Sequence, residues 1–343
     1  MKVLVTGGCG FLGSHVCEFY VNRGDSVIAY DNMTKYELNR TGYASEKSRR
    51  FNWDLLSQWG VEMVLGDVRN AEQLLETAQG CDFIIHTAAQ PAMTIGIESP
   101  ELDFSTNVWG TFNVLKTAQE LKIPVVSCSS IHVYGNGIND TLEEGEARYL
   151  RDPVAIAEEH PLLEGTVTPL HASKRSAEIY VQTFIDSYQV EAANFRFTGL
   201  YGPRQFGGED HGWVANFSIR AVLDWPITLF GTGKQVRDIL FAQDAVAAFH
   251  AFYENRKPGT YNIGGGEKCM ISLQESLDVI GEILGHKPSV RIAEMRLGDL
   301  WYFVCDSSKA KNMLGWEANV LPREGITELI HWIQDNPDCF GQK

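Results

Sequence analysis

The 343-residue sequence predicts an α/β protein, a doubly wound parallel sheet with a second, smaller mixed α/β domain. Three observations lead there. Length divided by about 150 suggests two domains. Short β-branched runs alternate with amphipathic stretches through the first 200 residues, and strict strand–helix–strand order means a parallel sheet covered on both faces. The strand runs are continuously apolar rather than alternating, as strands buried on both sides are.

Taken in order, strands are expected at 2–6 (KVLVT), 26–30 (SVIAY), 61–65 (VEMVL), 82–86 (DFIIH), 124–128 (PVVSC) and 192–197 (AANFRF). Helical patterns cover 12–22, 71–78, 106–121 and 173–188. From about 136 to 168 the alternation breaks into an acidic stretch with two prolines. Loops of that length are functional or disordered more often than not. The sheet domain is assigned 1–200 plus 235–258, and the smaller domain 201–234 and 259–335.

Composition narrows the partners. Lys plus Arg is 29 against 44 for Asp plus Glu, a formal charge of -15. That excess of acid argues against a nucleic-acid partner but permits one phosphorylated small molecule. Seven cysteines form an odd set without a CxxC pair, so a disulfide framework or thiolate zinc site is not expected and the reducing cytoplasm is. No apolar stretch reaches the roughly 18 residues of a spanning helix, so no membrane partner is expected. His211 and His250 lack metal-ligand spacing, and no metal is assigned.

The segment TGGCGFLG (6–13) follows the first strand and opens the first helix. Gly7, Gly10 and Gly13 let the backbone turn tightly and approach a pyrophosphate, which the free N–H groups of the helix start at Phe11 and Leu12 would receive. Alone, such a match is as often a turn that packs helix on strand. Asp31, at the end of the second strand and 18 residues beyond Gly13, suits both hydroxyls of an adenosine ribose and would repel a 2′-phosphate, favouring NAD over NADP. Asn32 follows it. Asp67 and Val68 end the third strand, and Thr87, Ala88, Ala89 and Gln90 end the fourth. Ligands of open α/β sheets bind at such carboxyl ends, so the sheet reads as Rossmann-type with NAD as cofactor.

The same residues carry a resemblance. TGGCGFLG, Asp31-Asn32, GDVRN (66–70), HTAAQ (86–90), Asn107-Val-x-Gly-Thr111 and SSIHVYG (129–135) resemble the extended short-chain dehydrogenase/reductase family of nucleotide-sugar epimerases and dehydratases. GPRQF (202–206), GKQVRDIL (233–240) and R-x-G-D (296–299) extend the likeness over nearly the whole chain. Stretches 90–94, 145–149 and 204–217 are similar to the branch that epimerises C2 of CDP-linked deoxyhexoses. The resemblance implies a nucleotide-diphosphate sugar as substrate, a keto intermediate with hydride return, and a homodimer formed through helices near 101–121 and 173–188. It also places Asn107 and Lys174 at the cofactor.

That family uses a Ser or Thr, a Tyr and a Lys, in the order Ser…Tyr-x-x-x-Lys. Ser130 and Lys174 match, but the tyrosine position holds Leu170, which cannot transfer a proton. Two histidines offer replacement. His132 stands two residues after Ser130, where family dehydratases carry a glutamate and the C2 branch a lysine. His171 follows Leu170, where relatives usually have glycine. An imidazole suits proton transfer near neutrality. The competing readings are a histidine bonding a loop carbonyl and a residue filling vacated space. Tyr134 and Tyr149 are reserve phenols.

On the substrate side, Arg204, Arg237 and Arg296 are candidates for a diphosphate clamp, because a guanidinium fork matches phosphate oxygens. The resemblance adds Asp299 at the nucleoside ribose. Gln205 and Trp213 are expected near the nucleotide, with Met93 and Thr94 facing the sugar, and Thr198 is a substrate-binding candidate where many relatives have an asparagine. Two further readings stay open: a nucleotide-sugar 4,6-dehydratase or other sugar-modifying relative, and a catalytically silent NAD-binding regulatory protein.

Overall fold

A computed structural model describes residues 1–341. Seven parallel strands form the main sheet, in the spatial order Gly259–Ile263, Ala192–Phe197, Val125–Ser130, Phe83–His86, Lys2–Thr6, Ser26–Asp31, Glu62–Leu65. Each expected strand is present within a residue or two of its expected bounds. Strand order reverses beside Lys2–Thr6, whose neighbours are the second and fourth strands in sequence, so a crevice opens at its carboxyl end. One face of the sheet buries Val3, Val5, Ile85, Val126, Phe195 and Ile263 against the first helix, Phe11–Asn22, and the helix Ala242–Asn255. The other buries Leu4, Ile28, Ile84 and Val125 under helices that include Thr111–Leu121 and Pro169–Tyr188.

Several elements depart from expectation. A helix not among the expected elements lies at Glu46–Gln58, capped by Ser45, and buries Ser48, Asn52 and Leu56. The helix expected at 106–121 begins as a π-helical stretch, Asp103–Gly110, before continuing as Thr111–Leu121. There the buried side chains of Asp103 and Asn107 hydrogen-bond to each other and to Gln90.

The domain boundary also moves. Val236–Asp238 lies in a small sheet with Met270–Ser272 and Tyr302–Phe303, outside the main sheet. The helix Ala242–Asn255 returns to the main core through Ala245, Val246, Phe249 and Phe252, and the seventh strand Gly259–Ile263 follows it. Residues 259–263 therefore belong to the sheet rather than to the smaller unit. That unit is built on Ile227–Phe230 paired with Val290–Ala293, and on the helices Trp213–Val222, Leu273–Leu284 and Pro322–Asp335.

The acidic stretch 136–168 is ordered. Tyr149 stacks on Trp301 at 5.4 Å between ring centroids, and Ile156 packs among Tyr302, Phe303 and Cys305. None of its residues lines the ligand cavity; it packs on the smaller unit and also on the main sheet, where Asn262 Nδ2 donates to the Ile156 carbonyl and Arg196 to that of Glu158. No helix among the described residues is long and apolar enough to cross a membrane.

Candidate active site

One cavity of about 790 Å³ runs along the carboxyl ends of the strands and into the smaller unit. Gly7, Gly10, Phe11, Leu12 and Gly13 line one end. Gly7 has φ +69, and a Cβ there would lie 2.6 Å from the backbone nitrogen of Ala88. A Cβ at Gly13 would overlap the carbonyl oxygen of Gly7. The helix start at Gly10 has no side-chain cap, which leaves the first-turn N–H groups free for an anion.

Asp31 and Asn32 line the same end, as do Val68, Thr87, Ala88, Ala89 and Gln90. Asp31 accepts backbone N–H bonds from Cys9 at 2.9 Å and Met33 at 2.7 Å, one on each oxygen. Each oxygen keeps a lone pair for a ribose hydroxyl. Burial nonetheless pushes this carboxyl up from its ordinary pKa. An uncapped helix start, a glycine cradle and a carboxylate at the second strand end fit NAD.

Two expected cofactor residues do not reach the cavity. Asp67 turns to Arg69 and Asn32, accepting from Arg69 Nε at 2.8 Å and Asn32 Nδ2 at 2.8 Å. Those bonds, Arg69 first, hold it down to about 2. Asn107 is a structural clasp: its Oδ1 accepts from Gln90 N, and its Nδ2 donates to Gln90 O and Ser173 Oγ.

The middle of the cavity is lined by Met93, Thr94, Ser130, His132, Leu170, Lys174 and Thr198. Lys174 donates from Nζ to the carbonyl of Cys128 at 2.9 Å and has no carboxylate within 4.0 Å among the described residues. Its full burial pulls its pKa down. Leu170 occupies the position where the family motif calls for a phenol and is 3 % exposed. His132 has Nδ1 buried without a partner, leaving Nε2 as the nitrogen open to the cavity. Burial, then His171 and Arg237, pull its pKa down to about 3.

His171 does not line the cavity. It is the third residue of the helix Pro169–Tyr188, and its Nδ1 accepts the backbone N–H of Thr168 at 3.1 Å, closing the helix start as a capping-box Glu or Gln would. The reserve phenols are also committed elsewhere. Tyr134 donates to Asn262 Oδ1 at 2.7 Å and accepts from Arg196, and Tyr149 packs on Trp301. Tyr30 and Tyr36 line only the dinucleotide end.

The far end gathers Arg237, Arg296, Asp299, Gln205 and Trp213. Arg237 bonds only to the carbonyls of Val236 and Leu300, and burial disfavours its charge. Arg296 lies 3.6 Å over the ring of Phe230 and 3.9 Å from Asp210. Arg204 also lines the cavity, but its guanidinium is committed elsewhere. At φ +66 its side chain turns back to the first helix, where it bonds His15 Nδ1 and Glu18 Oε2 at 2.5 Å each. Thr198 is tied to Asp238 at 2.7 Å, and burial raises that carboxyl to about 6.

Sequence reasoning missed Lys35, Tyr36, Arg69, Cys128, Glu209 and Asp210, which also line the cavity. Arg69 falls within GDVRN, and Glu209 and Asp210 within 204–217, so those stretches carried the signal that could have found them. Among the described residues no cluster of His, Cys, Asp and Glu could hold a metal.

A model of the NAD dependent epimerase/dehydratase family matches residues 3–264. The chain belongs to that family. It is 31% identical over 97% of its length to the CDP-paratose 2-epimerase of Salmonella typhi, spanning 99% of that protein. It is 28% identical to a putative UDP-glucose 4-epimerase of Methanocaldococcus jannaschii, covering 97% of this chain and 99% of that one. The solved UDP-glucose 4-epimerase of Thermus thermophilus, in complex with NAD, superposes with a TM-score of 0.79 at 30% identity, covering 98% of this chain and 100% of that one. The family is NAD dependent, and the glycine loop of this member fits that cofactor.

Proposed function

We propose that this protein is an NAD-dependent nucleotide-sugar epimerase acting at C2 of a CDP-linked deoxyhexose. The observation that carries the reading is the continuity of one cavity, from the glycine loop past Ser130, His132 and Lys174 to Arg237, Arg296 and Asp299. The 31% identity to a CDP-paratose 2-epimerase over nearly both lengths supports the choice of nucleotide, sugar and carbon. When bound, NAD supplies a reversible hydride acceptor, so that a carbinol carbon can pass through a keto form and be restored on its opposite face.

The chain's own residues do the rest. Arg237 and Arg296 hold the diphosphate, with Asp299 at the nucleoside. Arg237 is buried with no carboxylate within 4.0 Å among the described residues, and such a guanidinium binds an anion that neutralises it. The proton at the reacting oxygen is held among Nε2 of His132, Oγ of Ser130 and Nζ of Lys174. Burial disfavours the charged forms of both His132 and Lys174. Met93, Thr94 and Leu170 border the sugar.

We also propose a homodimer in the reducing cytoplasm. Trp109 stacks on Phe112, and Phe112 meets Tyr180 edge to face at 5.5 Å. With exposed Phe104 and Ile179 these form an apolar patch across two neighbouring helical segments, of the kind that marks a protein interface. All seven cysteines are free thiols.

The test is a panel of CDP-, UDP-, GDP- and dTDP-sugars given to the purified protein while the absorbance of reduced nicotinamide is followed. Transient reduction and a C2-inverted product with CDP-deoxyhexoses only is the expected result. Dehydration to a 4-keto-6-deoxy sugar would replace this reading with the dehydratase one. Stoichiometric binding without any redox exchange would replace it with the regulatory one, which Leu170 favours.

A further inference from the structure

Ser130 and His132 stand at a strand end, and Lys174 stands on the helix Pro169–Tyr188. A buried ion pair joins these two elements. Arg196, opposite Ser129 in the neighbouring strand, donates from Nε to Oε1 of Glu178 at 2.8 Å and from Nη2 to Oε2 at 2.9 Å. Arg196 is 4 % exposed and Glu178 1 %. Glu178 lies one turn beyond Lys174, and its Oε1 also accepts the hydroxyl of Ser129 at 2.6 Å. Arg175 donates to Oε2 at 3.1 Å. On its other side Arg196 donates from Nη1 to the phenol oxygen of Tyr134 at 2.9 Å and to the carbonyl of Glu158 at 3.3 Å. The Tyr134 hydroxyl in turn donates to Oδ1 of Asn262, on the strand Gly259–Ile263, at 2.7 Å.

We infer that Arg196 and Glu178 are positioning residues for the reaction: their ion pair grips Ser129 and Tyr134, on either side of Ser130 and His132, and holds that segment in register with Lys174. This rests on the reading of Ser130, His132 and Lys174 as the groups that meet the reacting oxygen. Neither member of the pair lines the cavity, so neither touches sugar or cofactor.

Stability alone does not call for such a pair. Two charges taken out of water lose hydration that their attraction does little more than offset, and a well-packed apolar pair in the same place is often as stable. What the ion pair supplies and an apolar contact does not is direction. The planar fork of Arg196 meets both carboxylate oxygens in one geometry. The helix therefore cannot slide or turn against the strand end without breaking a buried bond that no water replaces. Lys174 is tied to the same strand through the carbonyl of Cys128, so Cys128, Ser129 and Tyr134 fix the segment to the helix before and after the reacting groups. Displacing such groups by about 1 Å is enough to cost a large part of the rate.

The test cuts the two links and leaves the ion pair in place. In Ser129→Ala/Tyr134→Phe the fold and NAD affinity are expected to be kept and kcat to fall about tenfold or more, with KM for the nucleotide sugar within a few-fold of wild type. A second readout needs no turnover: an NMR titration of ¹⁵N-labelled imidazoles, with His132 assigned by loss of its signals in His132→Gln. The wild-type ring should stay neutral well below its ordinary 6.5, and the ring of the double variant should titrate closer to that value. A second variant, Glu178→Met/Arg196→Met, removes both charges together. Its melting temperature should match or exceed that of the wild type, while kcat and the His132 titration change as in the first variant. A folded variant of either kind that keeps the wild-type kcat or the wild-type titration overturns the inference, as does a wild-type ring that titrates near 6.5. A wild type inactive on every nucleotide sugar would sink the function proposed above, and the titration alone would then decide this inference.

Discussion

Leu170 and Lys174 stand one turn apart on the helix Pro169–Tyr188 and line the same cavity. The lysine keeps its place, held through Nζ by the carbonyl of Cys128, while the position that should carry a phenol carries a buried isobutyl group. An apolar side chain cannot hold a proton, so on the proposed reading acid–base chemistry falls to the neighbouring strand end. Ser130 and His132 are the groups available there.

Replacing His132 by Ala is therefore expected to slow turnover by about a hundredfold or more, with KM for the nucleotide sugar changed only a few-fold. Adding Leu170→Tyr in that background should return at least about tenfold of the lost rate, because a phenol one turn from Lys174 restores an acid–base group at the cavity wall. Steady-state kinetics on the single and double variants decide this. An unchanged rate in the Ala variant removes His132 from the mechanism.

Arg237 carries a charge that burial disfavours and that no carboxylate within 4.0 Å compensates. Arg237→Met should weaken nucleotide-sugar binding by about a hundredfold while raising the melting temperature of the ligand-free protein, since a buried cation is exchanged for a well-packed apolar chain. Calorimetric titration and a thermal melt read the two effects. Loss of both binding and stability would show that the guanidinium is a structural strut.

Acid should cost stability through buried imidazoles. Burial pulls His86 and His132 from 6.5 to about 3. Unfolded, each takes up a proton below 6.5, so each contributes stability that is full above that pH and is lost as pH falls toward 3. Asp103, raised by burial to about 6, works in the opposite direction, favouring the folded state most at low pH and losing that contribution as pH rises through 6. Comparing melts at about pH 7.5 and about pH 5, His132→Gln should lose less stability than the wild type over that interval. An equal loss would mean that His132 titrates normally in the folded chain.

Gly13→Ala places a methyl group against the carbonyl oxygen of Gly7, in the loop that NAD must approach. The loop has to give way, and NAD affinity should fall about a hundredfold or more while the fold is retained, as measured by cofactor titration and circular dichroism. Full cofactor occupancy in this variant would contradict the glycine cradle as the NAD site.

The dinucleotide end is legible in the sequence because strand ends and glycine spacing are local. Gly7, Gly10, Gly13, Asp31 and the fourth strand end all fall where periodicity places them, and all face the cavity. What fails depends on where long side chains turn. Arg204 resembles a phosphate ligand in sequence, yet its positive φ sends the guanidinium to Glu18. His171 resembles a catalytic imidazole, but a histidine three residues into a helix behind Thr168 can serve as its cap. The strand Gly259–Ile263 reads as part of the smaller unit because the chain leaves the main sheet after Ala192–Phe197 and returns only through the helix Ala242–Asn255, a path no local pattern records.

The most direct test of the central reading uses a CDP-linked deoxyhexose carrying deuterium at C2. The purified protein with NAD should invert that carbon to an equilibrium mixture and leave the deuterium on C2 of both epimers, with no net reduced cofactor. Failure to invert C2, or inversion with the deuterium lost to solvent, would contradict oxidation and restoration at C2.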